Sequence, residues 1–85
     1  MKKWDDLDEA IIGPAFLWHN HNRLEVLVYN AETIRNILMA RDKMSFEEAR
    51  EFIEFNIEGA YIGPDTPVLV WPNDMYRTTD HDTEH

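Results

Sequence analysis

Apolar positions along the chain fall into blocks whose spacing changes from strand-like to helix-like and back. The first block, Ala10 to Trp18, is interrupted only by Gly13-Pro14. It predicts a strand, with the proline at an edge or a bulge because its ring nitrogen cannot donate to a ladder. His19-Asn20-His21-Asn22-Arg23 supplies turn chemistry, since asparagine tolerates left-handed backbone angles. Leu24 to Tyr29 is rich in β-branched and aromatic residues. Two apolar runs around a short polar loop predict a hairpin.

Beyond Asn30 the period lengthens. Asn30 is a good N-cap, and Ala31, Ile34, Ile37 and Leu38 share one face of a helix running to Lys43, with Glu32, Arg35, Asn36 and Met39 turned away. Ser45-Phe46-Glu47-Glu48 then has the form of a capping box, in which the Ser45 hydroxyl meets the Glu48 amide and the Glu48 carboxylate reaches back to the Ser45 amide. A second helix should run from Phe46 to Glu58, with Met44 and Ala49 as a hydrophobic staple and Gly59 closing it in a left-handed turn. Gly63-Pro64-Asp65-Thr66 reads as a loop, and Pro67 to Trp71 as a last strand. The order is β-β-α-α-β. It predicts an α+β fold, a three-stranded, mainly antiparallel sheet with two helices packed on one face. Residues 1–9 read as a polar, acidic and loose lead-in, 10–72 as one domain, and 73–85 as a mobile acidic tail.

Wound at about 3.6 residues per turn, the second helix divides into two faces. Ala49, Phe52, Ile53, Ile57 and Ala60 form an apolar stripe, and Glu47, Glu51, Glu54 and Glu58 line the opposite side, with Arg50 the one basic residue in the helix. Asn56 falls in the middle of the apolar stripe. A buried amide must find partners, so it is expected to tie the Gly59–Gly63 segment or a strand edge through backbone hydrogen bonds. Phe55 lies about a quarter-turn off the stripe, either finishing the core or standing out as an anchor for a partner.

Charge sharpens this picture. Among 85 residues, 17 Asp and Glu oppose 8 Lys and Arg, for a formal net charge of −9. Residues 45–60 hold −4 of it, residues 1–9 hold −2 and residues 72–85 hold −3, so the hairpin and first helix are close to neutral. That balance argues against a surface for nucleic acid or anionic lipid, either of which calls for clustered Lys and Arg. A carboxylate ridge on one helix face instead suits a basic groove on another protein, although charge patterning is equally what a solvated face looks like. Hydrophobic residues make up 44% of the chain, too many for an acidic disordered polymer.

Candidate catalytic chemistry is sparse. The chain has no cysteine, which removes disulfides, thiolate zinc sites and cysteine nucleophiles. Ser45 is the one serine and is committed to the cap, and three glycines at 13, 59 and 63 cannot build a phosphate loop. His19 and His21 have the spacing of a two-histidine metal pair, but only Glu25 is at hand as a further ligand. His81 and His85, with Asp82 and Glu84, lie in a segment that nothing caps, where weak adventitious metal binding is the most expected. No cofactor is implied and no catalysis is expected. The start lacks the apolar run of a signal peptide and no stretch is long enough to span a membrane, so a cytoplasmic location is expected.

From Asp8 to Val70 the chain resembles a family of small uncharacterised proteins of phages and prophages. Val26-Leu27-Val28-Tyr29-Asn30, then Met44 through Tyr61 (MSFEEAREFIEFNIEGAY), and finally Ile62-Gly63 with Thr66-Pro67-Val68 carry the resemblance. It implies a phage-type origin and the role common to small accessory phage products, binding one host protein or defence component. It brings no catalytic residue with it. The sequence therefore reads as a non-catalytic acidic binding module in the host bacterial cytoplasm. Glu47, Glu51, Glu54, Glu58 and Phe55 would meet a host protein with a basic surface, itself a nucleic-acid-binding or defence protein in one version. Ser45, Glu48, Asn56, Gly59 and Gly63 would be structural. The alternative is a structural protein, a homodimer for instance, that associates with itself through its sheet; a metal-dependent enzyme using His19 and His21 ranks last.

Overall fold

The turn between the first two strands sets the hairpin. Asn20 and His21 both have left-handed φ, 52° and 68°, the angles of a type I′ turn whose twist matches that of the flanking strands. In the computed structural model of the chain, which describes residues 1–73, strands β1 (Ile11–His19) and β2 (Asn22–Asn30) run right up to this two-residue turn. They pair antiparallel from His19↔Asn22 to Ile11↔Tyr29, with a register shift between Ile11 and Gly13 where Pro14 follows. The polar loop expected over residues 19–23 is thus mostly strand.

Helix α1 (Ala31–Arg41) begins where Asn30 Oδ1 accepts hydrogen bonds from the Glu32 and Thr33 amides at 2.9 and 3.2 Å. It ends with the Asp42 amide donating to the Leu38 carbonyl, and Lys43, at φ 61°, reverses the chain. Helix α2 (Phe46–Phe52) opens with the expected capping box. Glu48 N–H donates to Ser45 Oγ at 3.1 Å and Ser45 N–H donates to Glu48 Oε1 at 2.9 Å, an arrangement worth about 1 kcal/mol. The helix then changes character. Ile53–Glu58 winds as a π-helix, continuing the same rod with wider turns. Strand β3 (Val68–Val70) returns beside β2 and parallel to it, Val28↔Val68 through Asn30↔Val70, giving a mixed sheet in the order β1-β2-β3. A parallel return needs a long crossover, which the two helices supply.

One core joins these layers. Tyr29, Ile34, Ala49 and Ile53 are fully buried, with Leu38 and Ile57 beside them. Ile11, Leu27 and Leu69 cover the core from the sheet. Each large apolar side chain so placed contributes about 1.5–3 kcal/mol. Met39, expected to face away, packs against this core as well.

The lead-in is part of the fold. Leu7 is 6% exposed and belongs to the core, and a 3-10 turn at Asp8–Ala10 buries Ala10. The Trp4 ring lies 4.7 Å from that of Tyr29, and the Trp4 amide donates to the Tyr29 hydroxyl at 3.0 Å. Polar letters at residues 1–9 concealed two apolar anchors, Trp4 and Leu7, whose partners lie far along the chain. At the other end, Asn73 donates through its backbone and side-chain amides to the Glu32 carboxylate at 3.1 and 2.8 Å. The rest of the expected tail, with His81, Asp82, Glu84 and His85, lies outside the described residues.

Candidate functional site

The change from α to π winding decides what α2 presents to solvent. Ala49, Ile53 and Ile57 are buried, a spacing of four that the wider turn keeps stacked over one another. The same widening rolls Asn56 out of the apolar face. Asn56 is exposed, not the buried, hydrogen-bonded amide expected from regular α-helical spacing. Phe52, also assigned to the core stripe, is partly exposed, and Phe55 is 77% exposed. Gly59 differs from expectation too. It closes the helix with right-handed angles, φ −86° and ψ −2°. A backbone that does require glycine follows at Gly63, whose φ is +125°. There Thr66 Oγ1 accepts from the Ile62 amide at 2.9 Å and donates to the Gly63 carbonyl.

All four ridge carboxylates, Glu47, Glu51, Glu54 and Glu58, are exposed, but they do not form one surface. Glu54 is paired with Arg50 at 3.6 Å. Glu58 is brought round by the π-helix to accept from Trp71 Nε1 at 3.4 Å, and the Arg50 guanidinium lies 4.7 Å above the Trp71 ring. These contacts knit the helix to the end of β3. Glu51 instead borders an open groove of about 410 Å³, together with Met44, Glu48, Phe52, Phe55 and Asn56. Apolar rings, two carboxylates and an amide converge there.

A second groove, about 920 Å³, runs between the N-terminal turn and α1. Asp6, Asp8 and Glu9 line one wall and Arg41 the other, with Arg41 Nη1 donating to the Asp6 carbonyl at 3.1 Å. The polar sequence of residues 1–9 predicts a loose lead-in, and so gives no wall for this groove. The Trp4 and Leu7 anchors were the available signal.

His19 and His21 are not gathered with a further ligand into one site. His21 occupies the turn, His19 Nε2 lies 3.2 Å from Asn20 Nδ2, and Glu25 stands opposite Phe16, away from both. Among the described residues no group of three His, Asp or Glu is placed to hold a metal ion, and no helix is long and apolar enough to cross a membrane. Comparison of the chain with protein-family models, with curated proteins and with solved structures finds no match.

Proposed function

We propose that this protein is a non-catalytic binding module that presents the outer side of α2 to a basic, apolar-anchored segment of another protein. The observation that carries the reading is the juxtaposition of Phe55, which stands out into solvent, with Glu51 and the partly exposed Phe52 along one groove. An apolar ring set among polar neighbours is the usual form of an interface anchor, and the carboxylate beside it favours a cationic partner. Glu47 adds to the negative field at the start of the helix, while Glu54 and Glu58 mainly hold the helix in place. In this reading the chain is a phage accessory protein, and the partner is a host protein in the bacterial cytoplasm.

The test is affinity capture from bacterial lysate at low and high salt, with the wild type, Phe55→Ala and Glu51→Lys side by side. One protein should be retained by the wild type, released by salt, and lost with both variants. A true anchor typically costs about 2 kcal/mol or more on truncation, so Phe55→Ala should weaken purified binding roughly thirtyfold. Equal retention by all three proteins would remove the groove from the reading.

A further inference from the structure

The distal half of the hairpin extends beyond the helices, with every residue from Phe16 to Arg23 exposed. Phe16 is 52% and Trp18 75% exposed, and the Arg23 guanidinium lies 4.0 Å over the Phe16 ring. β1 is an edge strand, and among the described residues no strand pairs with its outer side. Edge strands are commonly blunted with charge, above all lysine. Ile11–His19 contains no Lys, Arg, Asp or Glu. The hairpin as a whole holds one arginine and one glutamate in a chain of net charge −9, so two copies approach through it without net charge repulsion.

The register fixes what that edge offers. Residues flanking a two-residue turn exchange both hydrogen bonds, and bonded and non-bonded pairs then alternate along the ladder. With His19 opposite Asn22, the residues of β1 bonded inward are His19, Leu17, Ala15 and Gly13. Trp18, Phe16 and Pro14 direct their backbone groups outward. Pro14, having no N–H, sits in the outward set, where its absence costs β2 nothing. The free edge therefore presents two donors, the Phe16 and Trp18 amides, and the carbonyls of Pro14, Phe16 and Trp18.

That set is complementary to itself. We propose that the protein forms a two-fold dimer through antiparallel pairing of β1 with β1 of a second copy, centred on Phe16. Each Phe16 amide donates to the Phe16 carbonyl of the second copy, and each Trp18 amide donates to the Pro14 carbonyl of the second copy. Both outward donors are satisfied, the two Phe16 rings become cross-strand neighbours, and each Trp18 meets a Pro14. The irregularity after Ile11 ends the ladder. The isologous arrangement closes at two copies and leaves both α2 grooves free.

Sedimentation equilibrium of the intact protein and amide hydrogen exchange by NMR test this together. Expected are a dimer mass at micromolar concentration and slow exchange at the Phe16 and Trp18 amides that is lost on dilution. Phe16→Lys, which sets two like charges at the dyad, should raise the dissociation constant at least about tenfold. Trp18→Pro, which removes the other outward donor, should do likewise, with both variants checked for an unchanged circular dichroism spectrum. Phe55→Ala should leave the dimer intact, separating this interface from the groove. A monomer at every accessible concentration overturns the proposal. So does a dimer whose Phe16 and Trp18 amides exchange as fast as in the dilute protein, or one indifferent to Phe16→Lys.

Discussion

A side chain held at φ 68°, as His21 is, occupies backbone space that costs an L-residue roughly 1–2 kcal/mol and glycine almost nothing. Asn20 before it, at φ 52°, is of the type that tolerates such angles. Asn-Gly is the favoured pair for a type I′ turn, so His21→Gly should stabilise the protein by up to about 1 kcal/mol after glycine's larger unfolded-state entropy is deducted. A urea titration should show a higher midpoint with an unchanged slope. A lower midpoint would mean that the turn takes another form in solution. Asparagines made a turn over residues 19–23 legible in the sequence. Its two-residue length was not, because a histidine in the second turn position gives no sign of positive φ. Lys43 presents the same difficulty at the end of α1, where the reversal is made without a glycine.

At the scale of elements, α2 shows the gain and the loss in reading periodicity. Its start was legible to the residue, since the capping box is local and both its hydrogen bonds lie within four residues. Its second half was not, because a helical wheel presumes a constant angle per residue and residues 53–58 wind more slowly. The two windings give opposite expectations for Asn56. With the amide exposed, Asn56→Ala should change stability by no more than about 0.5 kcal/mol, as surface substitutions do. Ile53→Ala, at a fully buried position of the same helix, should cost about 2–5 kcal/mol. Chemical denaturation of both variants checks this. A loss of 1 kcal/mol or more for Asn56→Ala, roughly the cost of an orphaned buried amide, would argue for regular α-helical winding and a buried side chain.

At the scale of the molecule, the N-terminal segment is clamped across the loop before β3. Lys2 Nζ lies 2.7 Å from Asp65 Oδ1, and the amino terminus is 3.9 Å from the same carboxylate. The hydrogen bond from Lys2, together with the charges of Lys2 and the amino terminus, holds the Asp65 carboxyl below the usual aspartate range. A carboxyl with its folded pKa depressed lends stability above its unfolded value, about 3.9, and that stability is lost as pH falls through the lowered folded value. The clamp should therefore be intact at neutral pH and open at the acid end. An NMR titration of Asp65 should give a midpoint below about 3.9 in the wild type and close to it in Lys2→Ala. Equal midpoints would show that the clamp does not form in solution. This contact spans sixty-three residues of sequence, and nothing in the local pattern of residues 1–9 indicated it.

The sequence alone determined the features whose causes are local: the order β-β-α-α-β, the Asn30 and Ser45 caps, the hairpin, and the acidity of α2. Each rests on hydrogen bonds or spacing within a few residues, so the letters carry it. Tertiary structure decided what depends on distant partners. Packing of Trp4 against Tyr29 and burial of Leu7 turned the lead-in into part of the core. Crossover through both helices set β3 parallel to β2. Stacking of Ile53 and Ile57 into that core accompanies the π winding that turned Asn56 and Phe55 outward and drew Glu58 to Trp71. One acidic ridge thereby became a pair of surfaces, one bound into the fold and the other bordering an open groove. Burial is a sum over the whole chain, and so which carboxylates remain available is settled only when the chain has folded.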